Sequence, residues 1–225
     1  MKILFRVLLL LFIASLSLSI QAQTYGFKTG LVLGKSDLGE MEGSAYELKM
    51  SPGFHGGLVL EFPISKSLAI ESGISFTTKG VRIFYEEEDN GLDYSYKFYN
   101  LEIPARLKVS VLSTQNSKLY LGFGTYLGLA RDGKLEGTET YSGQEYSGEM
   151  YFEIGNDDDE DSFKSLETGL SVGIELQNGS LQYGIKYDIG LTDIAHYPQV
   201  GDAMKHRALT ISIGYVFGSF KKSAE

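Results

Sequence analysis

Cysteine is absent from the 225 residues. Its absence excludes disulfides, thiolate metal sites, cysteine nucleophiles and a lipid-anchored cysteine. Basic charge is scarce too: 20 Lys and Arg stand against 29 Asp and Glu, a formal −9. That balance argues against nucleic acid as a partner, because a broad basic surface is the footprint such binding requires. Helical periodicity is missing beyond the first 22 residues, so an α-helical or α/β domain is not expected. Histidine is sparse, at His55, His196 and His206. No phospholipase-like serine, histidine and amide set is assigned around them, so no catalytic residue is named and no enzyme activity is expected.

The one long apolar run is at the start. Met1–Arg6 carries Lys2 and Arg6, Val7–Ile20 is apolar, and Ala22 is a small residue at a cleavage position. This layout predicts a signal peptide over 1–22. Removing it leaves 18 of the 20 bases against 29 acids, a net −11 for the mature chain. The acidic excess gathers at Glu86–Asp89, within Glu136–Glu149 and at Asp157–Asp161.

From Thr24 to Phe217 the chain alternates apolar with polar or glycine. Eight strands are predicted: 24–34, 53–62, 68–79, 94–109, 118–130, two arms around Asn178-Gly179, and 207–218. Asn-Gly suits a two-residue type I′ turn, which would set Leu176 opposite Leu181 and Ile174 opposite Tyr183. Long connections (Lys35–Pro52, Tyr85–Asp93, Arg131–Ser162, Thr192–His206) alternate with short ones, as in a membrane barrel with loops on one side and turns on the other. The polar parity is rich in glycine and carries charges of both signs at mid-strand. A crowded lumen explains both, whereas a water-facing wall has little reason to shed side chains. Aromatic residues gather near strand ends, as at two membrane interfaces. The expected fold is all-β, an eight-stranded antiparallel up-and-down transmembrane β-barrel over 23–218, with a short periplasmic tail at 219–225.

Five segments then carry a resemblance: Gly26–Leu31, Gly53–Leu58, Tyr99–Pro104, Leu121–Tyr126 and Tyr187–Ile194. In this order the chain resembles the outer-membrane β-barrel domain family of PorT type, an OmpA-like eight-stranded barrel, over nearly its whole mature length. The resemblance implies residence in the outer membrane of a Gram-negative cell, with outer-membrane lipid and the barrel-insertion machinery as partners. The family's namesake takes part in a secretion system, and most members have no assigned activity. The chain departs from the pattern by continuing from Gly218 to Glu225 beyond the terminal aromatic Phe217.

Two sets of candidate residues follow. Parity places Lys28, Glu61, Glu71, Glu102, Arg106, Lys108, Glu175, Lys186 and Asp188 in the lumen, as an ion network expected to plug it. Pairing through Pro63–Ser67 sets Val59 opposite Glu71, with Glu61 diagonal to it. Tyr141, Tyr146, Tyr151 and Phe152 stand among acids in the longest loop and are the candidate contact points for a protein partner, because tyrosine is enriched at binding surfaces. The run Asn156–Asp161 lacks the spacing of a calcium loop and is read as solvated, so no metal or cofactor is expected. The expected role is structural or in protein interaction. The alternatives are a narrow channel or a part of a secretion or transport machine, and then a lipid-modifying enzyme using His196 or His206.

Overall fold

The computed structural model describes residues 24–38, 46–155, 163–195 and 204–217. The predicted signal peptide and tail, the run Asn156–Asp161, and His196 lie outside them. Among the described residues nine strands form: β1 (Thr24–Leu38), β2 (Glu47–Pro63), β3 (Leu68–Glu87), β4 (Asn90–Ser113), β5 (Ser117–Tyr141), β6 (Gln144–Glu153), β7 (Leu166–Asn178), β8 (Leu181–Gly190) and β9 (Met204–Phe217). All named pairings are antiparallel. β4 pairs with β5, β5 with β7, and β1 with β9, so eight strands close into an up-and-down ring and β6 stands outside it.

The wall is apolar outside and polar inside. Leu31, Leu58, Phe123, Val172 and Ile211 are exposed, while Lys28, Glu61, Arg106, Glu175 and Gln182 are buried. In hydrocarbon this is the stable polarity, because a closed ring satisfies its backbone internally and its outer face meets lipid tails. Rings mark both rims. Tyr25 stacks on Phe217 at 5.3 Å near the short turns, and Phe76 on Tyr99 at 6.0 Å near the opposite end. Beyond Phe76 and Tyr99, β3, β4 and β5 continue out of the apolar belt. There the outer face turns to Arg82, Asp93, Lys97, Lys134 and Glu136, which form ion pairs with one another.

The structure corrects four expectations. The stretch Tyr85–Asp93 is a strand continuation with a tight turn at Glu88-Asp89, since β3 and β4 pair as far as Glu87↔Asn90. Of the stretch Arg131–Ser162, the part from Arg131 to Glu153 is a hairpin: β5 runs on to Tyr141, and β6 returns along it through Ser142-Gly143, whose φ of 50° and 75° make a type I′ turn. The β7–β8 turn is centred on Gly179-Ser180. With Gly179 at φ 60° it is of type II′, so Leu176 faces Tyr183 and Ile174 faces Ile185. A shift of one residue along each arm changes partners and leaves the faces as predicted. Finally, Glu61 lies directly opposite Glu71, and Val59 opposite Gly73, because the β2–β3 ladder ends at Pro63↔Ala69.

Candidate functional site

Three layers fill the ring from the short-turn end upward. In the lowest, Lys28 of β1 places its Nζ 2.5 Å from both Glu71 of β3 and Glu175 of β7. Arg106 of β4 donates to Glu71 at 2.8 Å. Lys108 pairs with Glu61 and Glu175 and lies 3.4 Å from Glu71, while Gln182 donates to Glu61 at 2.8 Å. The three glutamates bring carboxylate oxygens within 4.8 Å of one another. Like charges that close repel strongly unless cations intervene, and three do so here.

Above it, Lys79 lies 2.7 Å from Glu102 and 3.2 Å from Glu167, with its Nζ 3.9 Å from the centre of the Tyr126 ring. Tyr126 donates its hydroxyl to Glu167 at 2.5 Å, and His206 Nδ1 is 3.1 Å from the same carboxylate. Thr77 donates to Glu102 and contacts His55 Nδ1 at 3.1 Å. Lys186 and Asp188 form their own pair on β8 at 2.7 Å. A residual cavity of about 50 Å³ lies between the layers, bordered by Lys28, His55, Glu102, Arg106, Lys186 and Thr210. Of this size, and with charged groups on part of its wall, it has room for a few waters.

The third layer is apolar. Val81, Phe98, Ala130, Ile154, Ile194 and Met204 form a buried cluster over the lumen, and Phe152 and Phe163 pack against it. The Phe98 ring lies 5.0 Å from that of Phe163 and 4.9 Å from that of His206. The mouth is thus covered by apolar side chains from β3, β4, β5 and β9 and from the segments flanking β7 and β9.

Long charged chains need space, and glycine supplies it. A Cβ on Gly122 would sit 2.5 Å from Arg106 Nη2, and one on Gly214 would sit 2.6 Å from Lys28 Cγ. Gly122→Ala is therefore expected to displace Arg106 from Glu71 and to lower stability by about 1–3 kcal/mol. Gly148→Ala on β6, where a Cβ meets nothing within 4 Å, should leave stability unchanged. Urea unfolding of both variants in detergent checks the pair, and equal midpoints would refute the crowding argument.

The nine lumen residues named from sequence all face inward, but not as one network. Six form the lowest layer, Glu102 belongs to the second, and Lys186–Asp188 stand apart. The lumen set named from sequence left out Lys79, Tyr126, Glu167 and His206, the last of which entered only as a candidate for the lipid-modifying alternative. Parity would have found the first three, since they alternate with Glu71, Gly124 and Glu175 on their strands. It also passed over Gly169-Leu170-Ser171-Val172-Gly173, which spells a nucleophile-elbow pattern. The spelling is not an elbow here: Ser171 lies mid-strand in β7 opposite Asp188, without the strand-to-helix turn that exposes such a serine. Ser36 faces His206 across β1–β9, yet the Ser36 hydroxyl and His206 Nε2 are both buried without a hydrogen bond.

Of the four aromatic residues expected to meet a partner, Tyr141, Tyr146 and Tyr151 are 71%, 60% and 65% exposed. Phe152 is a correction: its ring turns inward to Phe98 at 5.7 Å and Phe163 at 5.4 Å, and is not offered to solvent. On the outer face of the extension, an open cleft of about 520 Å³ is bordered by Arg82, Asp93, Lys97, Glu136 and Glu149. Hydrogen bonds from Arg82 hold the Asp93 carboxyl below the ordinary aspartate range, and those from Lys97 and Lys134 do the same for Glu136. Lys134 also reaches Glu149 at 2.6 Å.

The outer membrane protein beta-barrel domain family matches residues 21–196 of the chain. Among solved structures, the attachment invasion locus protein Ail of Yersinia pestis is similar at 16% identity, over 88% of this chain and 100% of its own, with a TM-score of 0.40. Neisserial surface protein A is similar at 11% identity, over 88% and 100%, with a TM-score of 0.44. OprG from Pseudomonas aeruginosa is similar at 12% identity, over 87% and 96%, with a TM-score of 0.41. No curated protein matches the chain.

Proposed function

Because the chain belongs to the outer membrane protein beta-barrel domain family, we propose that it is a closed outer-membrane barrel whose work is done outside the bilayer, as a platform for a protein partner. The observation that carries this reading is the extension of β3–β6 beyond the apolar belt, with β6 exposed along nearly its whole length. A wall needs only about 9–11 residues per strand to cross the membrane. β4 and β5 have 24 and 25. Two ion layers and an apolar cover cross the lumen, and the cavity between the ion layers holds only about 50 Å³, which supports a plugged barrel over a conducting one.

The reading is non-enzymatic. His206 is buried under Phe98 with Nδ1 against Glu167, a position with no approach for a lipid from the outer wall. The resemblance to PorT-type barrels makes a secretion or transport machine the alternative setting in which the partner would be met. The reading is tested by crosslinking in intact cells, comparing the parent with a variant whose residues 135–150 are replaced by Asn-Gly. A discrete crosslinked species that the shortened variant loses is the expected result. Identical patterns from the two chains would overturn the reading.

A further inference from the structure

β6 has one open edge. It pairs with β5 alone, from Asp132↔Glu153 to Tyr141↔Gln144, with no bulge, and among the described residues no strand lies along its other side. Which backbone groups face that edge follows from the ladder. Ile154 donates its N–H to Arg131 at 2.8 Å on the same diagonal as the β5–β6 register. Antiparallel pairing repeats every two residues, so even-numbered residues of β6 bond to β5. The N–H and C=O groups of Glu145, Ser147, Glu149, Tyr151 and Glu153 then point outward.

Such an edge is a template for another strand, and chains that must avoid pairing blunt it with lysine, proline, a bulge or a short length. β6 has none of these: it is ten residues long, without proline or any base. Its charge says what would pair with it. Glu145, Glu149 and Glu153 stand on one face, and residues 132–153 hold six carboxylates against the single Lys134. A second copy of this edge would set glutamates against glutamates, which is destabilising across strands. The other face carries Tyr146 and Met150, both exposed.

Resting on the platform reading above, we propose that the open edge of β6 takes up an extended cationic polypeptide strand, main chain to main chain. Lysine or arginine would alternate along that strand so as to meet Glu145, Glu149 and Glu153, with apolar side chains over Tyr146 and Met150. The probe is an end-blocked decapeptide alternating lysine with valine, added to the full-length protein in detergent. Its counterpart has glutamate for lysine. The lysine peptide should bind and the glutamate peptide should not. N-methylation of the lysines and of the valines, in two separate peptides, should abolish binding in one and spare it in the other.

Ser147→Pro removes an outward N–H and leaves the β5–β6 ladder its bonds. It should weaken the lysine peptide at least about tenfold, since the proline blocks the added strand at mid-edge. Ser147→Val loses the same hydroxyl, which lies 3.0 Å from that of Thr138, and should bind like the parent. Binding that ignores both Ser147→Pro and N-methylation would be charge attraction alone and would overturn the proposal, as would no binding of the lysine peptide. The two readings separate in cells. A species that needs residues 135–150 yet survives Ser147→Pro sinks the edge proposal and leaves the platform standing, whereas the absence of any such species sinks the platform itself.

Discussion

Replacing Lys108 with alanine is expected to cost the barrel about 3–5 kcal/mol, the scale for removing one partner from a buried ion cluster. Lys108 is 1% exposed and contacts all three carboxylates of the lowest layer. Without it, Glu61 loses its cation and keeps only the Gln182 amide, and Glu175 keeps only Lys28. Three carboxylates within 4.8 Å would then share two cations in a space closed to bulk water. Part of any loss in Lys108→Ala could come from the vacated stem, which packs beside Tyr120 with the ammonium 4.6 Å from its ring. Lys108→Met keeps that stem and removes only the charge, so it should lose nearly as much as alanine. Adding Glu175→Gln to Lys108→Met should recover part of the loss, because a repelling charge goes with the missing cation. The chain has no tryptophan, so urea unfolding is followed by tyrosine emission and circular dichroism. A methionine variant as stable as the parent would show that the cluster fills space and its charges are immaterial.

The inward orientation of this cluster was legible in the sequence, and its pairing was not. A period of two needs only a few residues to declare itself: Lys28, Glu61 and Glu175 each sit on the glycine-bearing parity of their strand, and Arg106 on the parity opposite Leu101, Ile103 and Leu107. Which charge meets which depends on the register of strands distant in sequence. Lys28 and Glu175 are 147 positions apart, and Lys79 and Glu167 are 88 apart. Turn chemistry set local register only within a residue, because Asn178-Gly179 and Gly179-Ser180 both satisfy a two-residue hairpin rule and differ only in turn type. β6 was hidden for another reason. Outside the membrane the alternation of apolar with polar breaks down, and Gln144–Glu153 mixes tyrosine, glycine and glutamate in a strand whose two faces both meet water. The Ser142-Gly143 turn was the one local signal of that hairpin, and the density of acids around it favoured reading a loop.

Phe98→Ala is expected to lower stability by about 3–5 kcal/mol, the usual range for emptying a buried phenylalanine site. Phe98 is 1% exposed and lies at the centre of the apolar cover, edge-on to Phe152, Phe163 and His206. The segments it anchors are otherwise held by single hydrogen bonds rather than by a continuous ladder. Ile154 bonds to Arg131 at 2.8 Å, Lys164 to Ile194 at 2.8 Å and Ile194 to Met204 at 3.0 Å. Amide exchange at Ile154, Lys164 and Ile194 should therefore quicken in the variant, while amides of the lower wall, such as those of Val172 and Ile211, should keep their protection. Conductance separates this layer from those beneath it. Phe98→Ala opens the mouth and leaves the ion layers of Lys28, Lys108 and Lys79 intact, so purified variant in a planar bilayer should conduct no more than the parent. The triple variant Phe98→Ala, Lys79→Ala and Arg106→Ala removes the cover, the cation of the middle layer and the arginine that Gly122 makes room for. It should pass current where no single change does, because each layer alone spans the lumen. An open pore from Phe98→Ala by itself would mean that the apolar cover is the only seal and that the charged layers below are permeable.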